Sequence, residues 1–286
     1  MRSGQVVLAG RPNVGKSTLV NVLCEAKVAI VSDKPQTTRS RIQGVATGED
    51  WQLVLVDLPG FQRPRDPLTE RMQRLVDISF EEVDGVCLVL SADEQIGAGD
   101  RFVAERAFSQ SAPVVIALNK VDRLRPPEIA RQIELAAALG DFRALHPVSA
   151  RTGDGVAALR HELVDLLPEG PLYFPPETLT DQPLEHRIAE LIRERALELT
   201  REELPHAVTV EVEEIDRRRV SASVLVETRS QKQILVGKGG GMIREIGARA
   251  RPEIEALLGH PVFLDLRVKV KERWRRDRAL LERLGM

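Results

Sequence analysis

Short aliphatic runs, each closed by turn residues, recur along the first half of the chain. Residues 5–9 (QVVLA) read as a buried strand, followed by a glycine loop and a helix from about Lys16 to Ala26. After a polar stretch, VSDKPQTTRSR, the runs IQGVATGE and WQLVLVD read as strands, the second ending at Asp57. GVCLVLSA and APVVIALN are two more such runs, and helical patterns such as EIARQIELAAAL lie between them. Strands alternating with helices predict an α/β domain, a largely parallel sheet covered on both faces by helices. Such sheets bind ligands beyond the carboxyl ends of their strands. The polar motifs described below fall there, each directly after an apolar run.

The pattern changes at LPEGPLYFPPETLTDQP. Four prolines and a glycine cluster between Pro168 and Pro176, which reads as a linker. Beyond it LEHRIAELIRERALELT is an amphipathic helix, and HAVTVEVEEI and RVSASVLVET alternate like adjacent strands with DRRR as their turn. A second glycine loop, a helix, the strand VFLDLRVKV and a basic terminal helix complete a separate α+β domain. The expected division is 1–168 for the first domain, 169–182 for the linker and 183–286 for the second domain.

The 286-residue length accommodates two modest domains. Hydrophobic residues make up 43% and aromatics only 3%, so aliphatic side chains carry the cores. The net charge of -2 conceals an uneven distribution: LRVKVKERWRRDRALLERLGM holds eight Lys/Arg against three Asp/Glu. Such a basic end on a near-neutral chain suggests a local polyanion site. Cys24 and Cys87 lie inside apolar runs and form neither a disulfide framework nor a zinc spacing. The N-terminus, MRSGQVVLAGRP, is too soon broken by glycine for a signal peptide. No apolar run approaches the ~20 residues that span a bilayer. A cytoplasmic protein is expected.

Gly10 to Ser17 (GRPNVGKS) fits G-x-x-x-x-G-K-[ST] between a strand and a helix. Its backbone N–H groups can turn around phosphate oxygens, Lys16 can reach the β- and γ-phosphates, and Ser17 can ligate Mg²⁺. The next helix aims its N-terminus at the same anion. Asn13, Val14 and Gly15 within the loop, and Thr18 just past it, join the nucleotide-binding set. NKVD, Asn119 to Asp122, selects the base. The Asp122 carboxylate can accept hydrogen bonds from guanine N1–H and the 2-amino group, which adenine lacks in that arrangement. Lys120 can lie over the base, and Asn119 can tie this loop to the phosphate loop. DLPG ends another strand: Asp57 suits the Mg²⁺ shell, directly or through water, and the Gly60 N–H suits the γ-phosphate. Loss of that phosphate would release the segment. Ser149-Ala150 can put an N–H on guanine O6. In TTR, Thr38 rather than Thr37 is favoured to complete the Mg²⁺ shell. Phe61 follows Gly60 and can neither orient nor deprotonate water, so slow intrinsic turnover is expected.

These motifs resemble the TrmE–Era class of translation-factor-related GTPases, whose phosphate loop reads G-x-P-N-V-G-K-S. The resemblance implies GTP hydrolysis to GDP with Lys16, Thr38, Gly60 and Asn13 in the catalytic set. It matches Thr38 to the class Mg²⁺ ligand and Asn13 to the asparagine associated with bound K⁺. Leu58 departs from the usual threonine, with little damage expected because the γ-phosphate contact there is a backbone one.

Gly237-Lys238-Gly239-Gly240 has no GK[ST] and is no second triphosphate loop. G-x-x-G between an apolar strand end, ILV, and the helix MIREIG is the KH arrangement for clamping a single-stranded nucleic-acid backbone. Lys238, with Arg229, Lys232 and Arg244 nearby, supplies cations. The scarcity of aromatics fits backbone clamping better than base stacking. A GTPase domain followed by a type II KH domain of this length resembles the bacterial Era family. That resemblance implies binding to the 3′ end of 16S ribosomal RNA, a role in small ribosomal subunit assembly, and loose association with the inner membrane. A monomer is expected, because no heptad or spare apolar helix is evident. Two other readings compete. A metabolic phosphotransferase leaves the guanine motif unexplained, and a membrane-linked signalling GTPase leaves the G-x-x-G loop without RNA.

Overall fold

The computed structural model describes every residue except 35, 62, 63, 81, 82, 202 and 203. The chain forms two compact units. The first comprises Met1–Ala29, Gln36–Arg63 and Arg71–Asp181; the second comprises Ile30–Pro35, Pro64–Glu70 and Gln182–Met286.

The first unit is built on six strands: β1 (Arg2–Ala9), β2 (Ile42–Thr47), β3 (Trp51–Asp57), β4 (Gly85–Ser91), β5 (Val114–Asn119) and β6 (Ala144–Pro147). Their order in the sheet is β2-β3-β1-β4-β5-β6. Every neighbouring pair is parallel except β2 with β3. Helices α1 (Lys16–Leu23), α2 (Pro67–Ser79), α3 (Ala98–Phe108), α4 (Pro126–Ala137) and α5 (Val156–Asp165) connect them. Alternate residues of one strand serve two cores, which is why the runs are apolar throughout. Val6 and Leu8 pack with Leu19, Leu23 and Leu159 on one face; Val7 and Ala9 pack with Val76, Val103 and Ala136 on the other. Both thiols belong to the first of these cores.

The proline-rich stretch lies along this unit. The Gln52 side chain is fully buried; it accepts from the N–H groups of Tyr173 and Phe174 and donates to the Phe174 carbonyl. Val45 N–H donates to the Leu179 carbonyl, and Gly44 bridges Thr180. The exposed edge of β2 is thereby covered by the chain's own backbone, which removes a template for pairing with other molecules.

The second unit runs α6 (Leu184–Leu199), α7 (Leu204–Ala207), β7 (Thr209–Ile215), β8 (Arg219–Val226), α8 (Arg229–Val236), α9 (Gly241–Leu258), β9 (Phe263–Val270) and α10 (Arg278–Arg283). Its sheet order is β7-β8-β9, antiparallel then parallel. Ile188 and Ile192 of α6, Leu235 of α8 and Ile246, Ala250 and Ile254 of α9 pack on Val220, Val224 and Val268. One local expectation changes. ILV ends helix α8 rather than a strand, because Thr228 and Gln231 form a capping box that starts a helix at Arg229. The strand VFLDLRVKV and the basic terminal helix are both present, with a 3₁₀ turn, Trp274–Arg276, ahead of α10.

Candidate functional site

Three strand ends of the first unit meet at one place. After β1, Gly15 adopts φ 98° and caps α1; an added Cβ would lie 2.3 Å from Asn119 Nδ2. Only glycine meets both demands. The Lys16 ammonium is buried and donates to the carbonyls of Gly10 (3.1 Å) and Arg11 (3.0 Å). Burial pushes its pKa down, against the pull of Asp57. Asp57, at the end of β3, is fully buried; its Oδ2 accepts from Ser17 Oγ at 2.6 Å and Thr38 Oγ1 at 3.3 Å. The two hydroxyls are 3.0 Å apart. Burial pushes the Asp57 carboxyl up, opposed by Lys16 and then by the two hydroxyls. Its Oδ1 is buried and receives no hydrogen bond from the described residues.

One carboxylate and two hydroxyl oxygens form a hard donor set, and the orphaned Oδ1 marks an uncompensated acceptor. Both suit a small divalent cation such as Mg²⁺ completed by phosphate and water oxygens. Thr38 is the threonine that reaches this cluster. Gly60 approaches the phosphate loop so closely that a Cβ would sit 2.9 Å from the Pro12 nitrogen. Phe61 turns into an aromatic cluster instead, with Phe80 and Phe102 centroids 6.0 and 6.1 Å away and the Arg106 guanidinium over its ring. Leu58 is buried in the same core.

At the end of β5, Asn119 donates from Nδ2 to the Val14 carbonyl and accepts at Oδ1 from Ala150 N–H, both at 2.9 Å. One buried amide therefore joins the phosphate, NKVD and Ser149-Ala150 loops. Asp122 Oδ1 accepts from Ser149 Oγ at 2.6 Å, and Oδ2 accepts from Arg151 Nε and Nη2 at 3.0 and 2.6 Å. The Ser149 bond, then Arg151, holds its carboxyl below the ordinary value even though burial works the other way. Gly10, Asn13, Val14, Thr18 and Lys120 occupy the same loops, and Asn13 and Lys120 have positive φ. Arg151 and Arg11 were not legible as site residues: one follows Ser149-Ala150 and the other fills an unspecified position of the phosphate motif.

In the second unit, Gly237, Gly239 and Gly240 have φ of 70°, 56° and 76°. A Cβ on Gly237 would meet the Met242 nitrogen at 2.8 Å, whereas Gly239 faces open space and Gly240 has only Arg244 Nη1, at 3.6 Å. The last two glycines thus leave their backbone approachable from outside. A cavity of about 660 Å³ beside them is lined by Arg229, Lys232, Gln233, Val236, Gly237, Lys238 and Val270. The terminal basic run is largely neutralised within the unit. Arg267 pairs with Asp265, Lys269 with Glu213, Lys271 with Asp277, Arg275 with Glu227 and Arg283 with Glu211. Arg229, Lys232 and Lys238 are in no ion pair among the described residues. Unpaired positive charge therefore sits at the glycine loop, with less of the tail's charge left over than its composition suggests. Among the described residues, no helix is long and apolar enough to cross a membrane.

A strand–loop–helix phosphate cradle on a mainly parallel sheet, followed by a three-stranded α+β unit with G-x-x-G between two helices, defines a P-loop GTPase with a KH domain. Residues 5–120 match the 50S ribosome-binding GTPase family and residues 203–275 the KH domain. GTPase Era of Mycolicibacterium paratuberculosis is 47% identical over 99% of this chain and 98% of its own. GTPase Era of a Nocardioides species is also 47% identical, over 99% and 96%. The chain belongs to the GTPase Era family. A point variant of Aquifex aeolicus Era bound to GDP·AlF₄⁻ superposes with a TM-score of 0.96 at 34% identity, covering 100% of this chain and 99% of that one. An Era structure in complex with MgGDPNP and nucleotides 1506–1542 of 16S ribosomal RNA gives the same score, identity and coverage.

Proposed function

We propose that this GTPase holds Mg·GTP on the first unit and single-stranded RNA on the second, the RNA being the 3′ end of small-subunit rRNA during subunit assembly. The observation that carries the nucleotide half is the buried Ser17–Thr38–Asp57 oxygen cluster beside Lys16. The complex of a family member with Mg, a GTP analogue and 16S rRNA supports both halves.

In this reading Ser17, Thr38 and Asp57 hold Mg²⁺, which neutralises charge on the phosphate oxygens. Lys16 spends two of its three N–H donors on loop carbonyls and keeps the third for a phosphate. Its cation offsets negative charge on the equatorial oxygens as the γ-phosphoryl group leaves. Gly60 N–H serves that group until it departs. Asp122 reads guanine N1–H and the 2-amino group once Arg151 yields Oδ2. Ala150 N–H, now donated to Asn119, reaches guanine O6 by sharing that bond. Phe61 supplies no group to orient water, so turnover is slow without K⁺ at Asn13 or a partner. On the second unit Gly237–Gly240, Lys238, Arg229, Lys232 and Arg244 clamp the RNA backbone.

The test measures affinity for a short RNA copying the 16S 3′ end, against a scrambled control, in free, GDP-bound and GTP-analogue-bound protein. Selective binding to the first RNA supports the reading, and equal binding of both RNAs overturns it. Asp122→Asn tests the base assignment: preference moves from GTP toward XTP, and unchanged GTP selectivity would reject it.

A further inference from the structure

The sheet order places β4 between β1 and β5, so the turn after β4 lies between the phosphate loop and the NKVD loop. That turn carries Asp93 and Glu94, acids to which neither loop motif gives a role. Glu94 Oε2 accepts from Arg11 Nη2 at 2.8 Å, while Oε1 is 3.9 Å from Lys120 Nζ. Asp93 Oδ1 is 3.5 Å from the same ammonium and accepts from Ser91 Oγ at 2.6 Å; Oδ2 pairs with Arg123. On the other side Arg11 Nε donates to Oδ1 of Asp100 at 2.7 Å. Asp100 is only 2% exposed, and its Oδ2 caps α3 by accepting from Gly97 N–H at 2.9 Å.

We infer that Arg11, Asp93, Glu94 and Asp100 are positioning residues: an ionic brace that fixes the phosphate loop relative to the guanine loop and so sets how long a guanine nucleotide stays bound. The Arg11 carbonyl faces Lys16 while its side chain is anchored by α3 and the β4 turn. Freeing that side chain lets the carbonyl, and with it the Lys16 ammonium, swing. Removing Asp93 frees the Lys120 stem that lies over the base. None of the four needs to touch the nucleotide. The inference rests on the assignment of Lys16 and Lys120 to phosphate and base.

The test is release of a fluorescent N-methylanthraniloyl GDP from the full chain, for Arg11→Met, Asp93→Asn and the double variant, with thermal midpoints alongside. Loss of a charge-assisted bond at a partly buried site is expected to accelerate release on the order of tenfold in each single variant. Arg11 grips the β4 turn through Glu94 and Asp93 grips Lys120 from the same turn, so the brace holds the two loops together only while both ends are tied, and the double variant should release no more than about twofold faster than the faster single one. Arg11→Lys, which keeps the charge but not the fork, should recover part of the loss. Multiplicative effects in the double variant, or unchanged release in singles with normal midpoints, overturn the brace. Should Asp93→Asn lower the midpoint sharply, Glu94→Gln, at a half-exposed site, replaces it in the same cycle. Asp122→Asn run beside them separates the two readings: if it alone loses GDP affinity, the site stands and the brace falls.

Discussion

Asn119→Ala removes the amide that joins three loops. In the native protein it makes two bonds of 2.9 Å, to the Val14 carbonyl and from Ala150 N–H, with 2% of the residue exposed. Alanine leaves both backbone groups without that partner. A buried group stranded in this way costs about 1–3 kcal/mol, so two cost about 2–6 kcal/mol in the empty unit, and less once guanine O6 takes the Ala150 N–H. Water entering the vacated space pulls the sum toward its lower end, about 3 kcal/mol. Part of the loss appears as lower stability of the empty unit. The rest appears as weaker GDP binding, because nucleotide must then order the loops. Linkage makes the sum measurable as the unfolding free energy of GDP-saturated protein. The assay is urea unfolding followed by N-methylanthraniloyl GDP fluorescence, which reports on the first unit alone, with calorimetric GDP affinity measured separately. A combined loss below about 0.5 kcal/mol, the usual effect of a neutral surface change, would refute the three-loop argument.

Three further outcomes are expected. Gly240→Asp meets no clash, since Arg244 Nη1 at 3.6 Å is the nearest group, but φ of 76° strains any side chain, aspartate less than most, so its thermal midpoint is measured alongside. Its carboxylate should neutralise Arg244 and repel phosphate, weakening RNA binding by about tenfold or more and flattening its salt dependence by about one charge, with GDP affinity intact. The Asp122 carboxyl is held below its ordinary value of 3.8. A lowered folded pKa means the ionised form is fully present above that value and lost only as pH falls through the depressed one. GTP-over-ATP preference in competition binding should therefore be flat from about pH 8 to about pH 5. Burial pushes the thiols of Cys24 and Cys87 up to about 12, so neither should react with a disulfide reagent at about pH 8 until urea is added.

The chemistry of this protein was legible in the chain because each motif is local. Glycines at fixed spacing, a lysine and serine after them, and an acid at a strand end are all set by what a phosphate or a base demands nearby. Aliphatic runs closed by turn residues likewise revealed the parallel sheet, since strands covered on both faces need no polar alternation. What the sequence could not show were relations across long separations. The proline-rich stretch reads as a linker, yet the buried amide of Gln52 and the edge of β2 hold it against the first unit. ILV reads as a strand until the Thr228–Gln231 cap is seen to begin a helix. The basic tail reads as a polyanion surface until Glu211, Glu213 and Glu227 from other segments pair with part of it. Arg11 falls at a free position of a motif, and only the sheet order, which sets the β4 turn beside it, gives its side chain partners. Local covalent spacing determines which groups are available. Partnership between groups tens of residues apart depends on packing and burial, and those exist only in the tertiary structure.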